Sequence, residues 1–258
     1  MPNISVDSTI KFLCDQADND LHIPYFLFYE NSDGYNFRDL NELVKQDVKE
    51  TYKYFPSNYA EGKESAASEF SDTTKITSYT VLKQSNILTN AKNGLYKSKM
   101  INIDLLKKNK KEVSFDYLKN HTKFNKLQPY KVPGGVEGDP VVYMLTSRSD
   151  HNQSGSIFQK ENHLPKKINQ FLLQKKAYER HIFNSVLEVS IPGDSQIQVG
   201  DTVYLKIMPA TNTKDQEGLE DKYLSGKYII TKLRHKMKGK TGDGFMTIFE
   251  CAKDTRIQ

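Results

Sequence analysis

The sequence predicts a mainly β protein with packed helices, an α+β fold, and three observations carry that prediction. The run from Val186 to Cys251 holds four segments of alternating apolar and polar side chains with turn residues between them, as half-buried antiparallel strands do. Two other stretches, from Asp7 and from Leu164, place apolar residues at helical spacing. The chain is polar overall, with mean hydropathy −0.66 and 37% hydrophobic residues, yet it carries 15 Tyr and 13 Phe. That balance describes a folded chain with a polar, loop-rich exterior and not a disordered one.

In chain order, Asp7 or Ser8 is placed to cap a helix whose apolar face is Ile10, Leu13, Cys14 and Ala17, with His22-Ile23-Pro24 ending it. Tyr25 to Tyr29 is a continuous apolar strand, expected to be covered on both faces. Asn31-Ser32-Asp33-Gly34 is a turn, and Tyr35-Asn36-Phe37 returns as the hairpin partner. Asp39, Leu40, Leu43 and Val44 start a short helix. From Lys45 to Asp72 the composition is charged and rich in Ser, Ala and Glu, and reads as a linker with at most a short helix. Ile76 to Ser85, Leu95 to Leu105 and Val113 to Tyr117 read as strands. Between 120 and 165 the chain is broken by Pro133-Gly134-Gly135, Gly138-Asp139-Pro140 and Gln153-Ser154-Gly155, with one strand at Val141 to Leu145. So long an irregular excursion is usually functional or an interaction arm. Leu164-Pro165 then opens a helix with Ile168, Phe171, Leu172, Tyr178 and Ile182 along one stripe.

The closing run supplies Leu187, Val189 and Ile191 on one strand, then Pro192-Gly193-Asp194 as a turn. After Val199-Gly200-Asp201 come Val203, Leu205 and Ile207. A third strand begins with Tyr228 and Ile230, and Phe245 to Phe249 follows Gly242-Asp243-Gly244. Strands so spaced form a small antiparallel sheet that curls towards a barrel.

The ordered pattern I-P-G-D, I-x-V-G-D-x-V-x-L and Y-L-S-G-K-Y-I-I-T-K-L-R-H resembles the tube-forming barrel of the central hub protein in baseplates of contractile-tailed, T-even-like phages, a barrel shared with VgrG-type spikes. Gly193, Asp194, Gly200, Asp201, Leu224, Gly226 and Tyr228 carry that match. The block F-L-F-Y-E-N-S-D-G-Y-N-F-R-D-L is similar to the helix, strand, turn and strand ahead of the family's second barrel, through Glu30, Asn31, Asp33, Gly34, Phe37 and Arg38. Gly94 and Asp104 also fall where the pattern expects them.

The resemblance implies four segments. Residues 1–70 would be a helix-hairpin block and linker, and 71–120 the first strands of a tube-like barrel. Residues 121–182 would be an insertion and an outer helix, and 183–258 the remaining barrel strands. It implies a structural virion protein of the phage tail baseplate, made in the host cytoplasm, that joins the tail tube to the central spike and forms part of the DNA-ejection channel. The implied partners are the tail tube protein, the central spike protein and other baseplate proteins, within a homotrimer. DNA would pass the lumen without being specifically bound. The family carries two barrels per subunit and this chain matches the later part. A second chain or an upstream segment is therefore expected to supply the first barrel, pairing at the Leu95–Leu105 or Val203–Ile207 edges.

Other chemistries lack the residues they need. His22, His121, His151, His163, His181 and His235 are scattered and form no H-x-x-x-H or H-E-x-x-H pair, so no metal is assigned. His181 and His235 read as packed or capping residues. No G-x-S-x-G is present, and Cys14 on an apolar helix face reads as core. The loop Pro133 to Gly138 lacks the Lys-Ser/Thr of a phosphate loop, and Asp215, Glu217, Glu220 and Asp221 lack calcium-loop spacing. No catalytic or cofactor-binding residue is assigned, no cofactor is expected, and the protein is read as not an enzyme. The formal charge of +5, from 37 basic and 32 acidic residues, is a modest excess. Its clusters, Lys107, Lys108, Lys110 and Lys111, and Lys232, Arg234, Lys236, Lys238 and Lys240, flank turns or alternate along a strand. They read as a solvated face or edge protection rather than a nucleic-acid footprint. Two cysteines at opposite ends suggest no disulfide framework. The first 20 residues hold no secretory signal, and no stretch approaches the 18 apolar residues of a membrane span. The alternatives are a tail-associated cell-wall hydrolase, and an OB-like binding module built on Tyr223, Tyr228, Lys232 and Arg234.

Overall fold

The computed structural model of the chain describes residues 5–17, 19, 25–56, 72–84, 86–93, 95–104, 108–129, 142–146, 168–209, 220–237 and 244–257. The fold is mainly β with several helices, as the sequence predicts. Helix α1 (Val6–Gln16) is followed by the hairpin β1 (Phe26–Asn31) and β2 (Gly34–Asp39), then α2 (Leu40–Lys45), β3 (Glu50–Tyr54), β4 (Ser78–Lys83) and α3 (Ile87–Lys92). Next come β5 (Lys97–Asp104), β6 (Asn109–Asp116), α4 (Tyr117–Asn120), β7 (Val142–Thr146) and α5 (Ile168–Ile182). Strands β8 (Ser185–Pro192), β9 (Thr202–Ile207), β10 (Gly226–Met237) and β11 (Phe245–Lys253) complete the chain.

The four C-terminal strands form the centre of a six-stranded sheet ordered β3-β9-β10-β11-β8-β4. All its pairs are antiparallel except β3 with β9, which run parallel. The alternation seen in the sequence becomes an inside and an outside. Leu187, Val189, Ile191, Val203, Leu205, Ile207, Tyr228, Ile230, Phe249 and Cys251 all bury themselves in one cluster on the concave face. The sheet curls into a half-barrel because Tyr52 from one edge strand and Ile76, just before the other, join the same cluster. A parallel bridge between Lys53 and Lys75, a hydrogen bond from Ile76 N to Lys53 O (2.8 Å) and an edge-on contact of the Tyr54 and Tyr79 rings draw the two edges together.

A β-bulge between Ile230 and Lys232 lets β10 bend as the sheet curls. Ile229 and Ala252 point out of the barrel at the same level, into a second core with Tyr25, Leu40, Leu43, Val44, Leu95, Tyr96, Tyr117, Phe124, Ala177, Tyr178 and Ile182. Aromatic rings fill it: Tyr178 stacks on Phe124 at 5.0 Å and meets Tyr25 edge-on at 6.5 Å.

Several expectations change. The helix cap is Ser5, whose hydroxyl accepts from Ser8 N, and α1 leaves Leu13 and Phe12 nearly half exposed, with Cys14 only half-buried. The Tyr25–Tyr29 strand is not covered on both faces along its length, since Phe28 is 40% exposed and Phe37, its cross-strand partner, 47%. The stretch read as a linker contains β3, whose Tyr52 and Tyr54 show period-two spacing that the surrounding charges mask. Of the region 71–120, only β4 joins the half-barrel. Strands β5 and β6 pair with each other and, in parallel, β5 with β7, in a separate three-stranded sheet. Neither expected free edge is an edge: β9 lies between β3 and β10, and β5 between β6 and β7. The buried stripe of α5 is Leu173, Ala177, Tyr178, His181 and Ile182, with Leu172 half-buried. The helix contacts β5 and β6 rather than lying only on the C-terminal sheet. The side chains of Ile168 and Phe171, and the glycine-rich loop Pro133 to Gly138, lie outside what the structure describes.

The inside-outside assignment has a direct test. Phe249 is buried against the Tyr52 ring (5.8 Å between centroids), so Phe249→Ala should cost about 3–5 kcal/mol. Lys232 projects from the opposite face to Glu250, 2.9 Å away, and Lys232→Ala should change stability by less than about 1 kcal/mol. Equal effects in urea denaturation would mean that the two faces are exchanged.

Candidate functional site

The residues singled out in the sequence gather at three places. The first is the hairpin. Asn31 Oδ1 accepts from Asp33 N and Asn36 Nδ2, both at 3.0 Å, which shapes the tip, and Gly34 has φ +120°. One face carries two stacked pairs, Phe26 with Phe37 at 5.1 Å and Phe28 with Tyr35 at 5.7 Å. Phe28, Phe37 and Tyr35 are 40%, 47% and 75% exposed, an aromatic ladder presented to solvent. Leu27 and Tyr29 on the other face pack into the outer core. Tyr29 is held by Arg38 and reaches Gly200, where φ is +93° and a Cβ would lie 2.5 Å from the Tyr29 hydroxyl. Burial raises the Tyr29 pKa, and the Arg38 guanidinium partly offsets this. Next in sequence, Asp201 binds Lys49 Nζ (2.7 Å) and Gln198 N (2.8 Å), while its backbone oxygen accepts from Ile230 N. Arg38 is thus linked to the Gly200–Asp201 turn, far away in sequence, through the Tyr29 ring.

The second place is the end of the half-barrel at the β8–β9 turn. Gly193 admits no side chain, because a Cβ there would fall inside the Phe245 ring. Asp194 accepts from the Tyr52 hydroxyl (2.7 Å) and from Gln196 N (2.8 Å), fastening edge strand β3 to the turn. Burial, then this bond to a carboxylate, raises the Tyr52 pKa. Thr247 Oγ1 accepts from Asp194 N and donates to Asp194 O, and His235 Nδ1 lies 3.0 Å from the same hydroxyl.

At the opposite end, the Tyr228 hydroxyl donates to Leu224 O (2.6 Å), and Ser225 Oγ both donates to and accepts from the Ile207 backbone. Gly226 has φ +134°, and a Cβ there would collide with the Gln128 side chain. The buried Lys253 ammonium donates to Ser225 O (2.7 Å) above the Tyr228 ring, and desolvation lowers its pKa to about 8. Asp104 stands apart, opposite Asn109 in the second sheet, and Gly94 lies outside the described residues. Of the acidic spacer, Glu220 binds the Tyr204 hydroxyl and Lys206, and Asp221 caps Tyr223 N and Leu224 N. Asp215 and Glu217 lie outside the described residues.

No motif marks the buried polar centre beside this end. Asp254, fully buried, accepts from Leu127 N (2.8 Å), Gln128 N (3.2 Å) and Thr255 N (2.6 Å), and its backbone oxygen accepts from Asn184 Nδ2, which is tied to Asn90. Burial raises its pKa to about 6 despite those bonds. His181 Nε2 lies 3.6 Å from Asp254 with neither ring nitrogen hydrogen-bonded, and burial lowers the His181 pKa to about 3. Among the described residues, no three His, Cys, Asp or Glu side chains converge as a metal site would need.

No known protein family's profile matches the chain, and its sequence matches no curated protein. Among solved structures it is similar to the tail protein from Neisseria meningitidis MC58, at 10% identity and a TM-score of 0.43, over 89% of this chain and 51% of that one. The chain thus spans about half the length of that tail protein.

Two outcomes follow from this geometry. Gly226→Ala forces a side chain into a backbone conformation that L-residues avoid, so it should cost about 1–3 kcal/mol; an unchanged melting temperature would reject that placement. The unfolded chain protonates His181 below about 6.5, whereas the folded chain does so only near 3, so acidification across that window favours unfolding. Asp254 acts oppositely between about 6 and its ordinary value of 3.8, and does so with or without His181. His181→Gln should therefore gain about 1.4 kcal/mol per pH unit relative to the parent from pH 6 to pH 4. Parallel pH profiles of the two proteins in urea denaturation would count against a buried neutral histidine.

Proposed function

We propose that the chain is a structural subunit of a phage tail baseplate, the central hub, joining the tail tube to the central spike as a trimer within a larger assembly. One observation carries the reading. The hairpin block and the V-G-D strand entry resemble the same family separately, and Tyr29 of the first, held by Arg38, seats on Gly200 of the second. Two patterns about 160 residues apart that meet in one contact behave as parts of a single inherited plan. The described interior of the half-barrel supports a structural role, because packed side chains fill it except at the end near Leu224 and Tyr228. A DNA-ejection channel would then lie between subunits, walled by the outer faces of their sheets, and would hold DNA without specific contacts. A first barrel would come from another chain or an upstream segment.

The OB-like alternative needs Tyr228 on an open, basic face. That ring is fully buried inside the half-barrel, whereas Lys232 and Arg234 project from the outside. The hydrolase alternative is separated by a cell-wall turnover assay with the purified chain, where no turnover is expected.

Imaging of the assembled particle tests the proposal. The expected result is a closed ring at the tube–spike joint containing three copies of this chain, each beside a β-rich neighbour. A lone monomer, or copies placed away from the tube axis, would overturn it.

A further inference from the structure

The edges of the half-barrel meet at one point and then part. Beyond Lys53 and Lys75, β4 runs on from Ser78 to Lys83, whereas β3 ends at Tyr54. On one side β4 pairs with β8, and no strand among the described residues pairs with its other side. Sheet edges are normally blunted by charge, proline or a bulge. Here Ser78-Tyr79-Thr80-Val81 carries no charge or proline, and the bulge and Lys83 come only at the strand's end. Val81 and Leu82 are 41% and 51% exposed on this edge.

Beside it opens a cavity of about 350 Å³, at the lower end of the 300–1,000 Å³ typical of ligand pockets. Its apolar walls, Val81, Leu187, Leu224 and Tyr228, belong to the concave face and its lower rim, so the cavity is an unfilled end of the barrel core. Two cations stand at its mouth, Lys83 and Arg256. Arg256 lies over the exposed Tyr223 ring and bonds its hydroxyl, while Lys83 donates to Phe183 O. Arg180 adds positive potential close to Lys83, with Glu179 as the nearby counter-charge.

We infer that this seam is a strand-acceptor site: an extended segment of another chain pairs with the free edge of β4, inserts one large apolar side chain into the cavity, and sets a carboxylate beside Lys83 and Arg256. The backbone edge supplies affinity without sequence preference, and the cavity and cations supply the selection. Alternation of side chains on the added strand would place one residue inward, level with Val81, and so at the cavity mouth. The site rests on the proposed role as an assembly subunit only for where the strand comes from. Failure of the experiment below leaves the particle-imaging test standing, and the converse also holds.

The probe is a set of fluorescein-labelled 12-residue peptides of alternating Thr and Val, carrying Phe, Leu or Ser at one central position and Glu, Gln or Lys two positions on. Binding to the full chain is read by anisotropy. Phe/Glu and Leu/Glu peptides should bind saturably, at least tenfold tighter than Ser/Glu and fivefold tighter than Phe/Lys. N-methylation of alternate amides, which removes strand pairing and leaves the side chains, should lower affinity at least tenfold. Arg256→Glu, checked for an unchanged circular dichroism spectrum, should remove the preference for Glu over Lys. The absence of saturable binding by any peptide, or equal binding of the N-methylated forms, overturns the site. Self-association of the chain that the peptide disperses would assign the seam to a second copy and overturn the foreign strand.

Discussion

The apolar concave face of one sheet must be covered, and this sheet covers it largely with itself. Four strands with alternating side chains cannot close on their own. Two short strands from distant parts of the chain are added at the margins, and Tyr52 and Ile76 bring the last apolar surface. Curling is what turns the alternation of Leu187, Val189 and Ile191 into burial. The turn residues serve it: Gly193 lets the Phe245 ring cross the rim, and Asp194 holds the edge strand through the Tyr52 hydroxyl. At the other rim, Ser225, Tyr228 and Lys253 satisfy backbone groups that the ending strands leave open.

A second constraint follows from the first. A sheet curled about its own core turns its convex face outward, and two small windows in that face, at Ile229 and Ala252, remain apolar. They receive α2, α5 and the segment 124–128, so these three pack on the barrel through one shared core. Asp254 fixes that junction by accepting from the Leu127 and Gln128 amides. A carboxylate so deeply buried costs desolvation, as its raised pKa reports. What it secures is register: amides at the end of a helix-poor segment are held to the last strand at one position only.

The sequence is legible where side-chain period and turn chemistry coincide, as in β8 to β11, the β1–β2 hairpin and α2. It is illegible where either signal is diluted. Strand β3 carries Tyr52 and Tyr54 two apart, but Glu50, Lys53 and the flanking charges make the stretch look solvated. The inner and outer positions of β5 could be separated by alternation, yet nothing local says which sheet a strand joins. That choice is made by contacts with α5, which lies far away in sequence. The same holds for the site residues. Gly193, Gly200 and Gly226 stand out as turn glycines, but the rings and amides that require them (Phe245, Tyr29 and Gln128) are supplied by other elements. The Asp254 centre has no local signature at all, since Lys253-Asp254-Thr255 reads as an ordinary polar tail.

The convex face bears on how such a subunit could line a channel. On β10, Lys232 and Arg234 point outward, level with Glu250 and Ile248 on β11 and with Glu188 and Ser190 on β8. One level thus sets Lys232 beside two carboxylates, the nearer being Glu250 at 2.9 Å, while Arg234 stands level with the uncharged Ile248 and Ser190. Affinity for a nucleic-acid backbone grows with the number of cations free to replace its counterions. If outer faces of this kind walled a channel, as proposed, the pairing of Lys232 with Glu250 would lower the number of cations free to hold a passing polyanion. The concave face offers no such surface along its packed strands, where Leu187, Val189, Val203, Leu205, Ile230 and Phe249 are buried against one another.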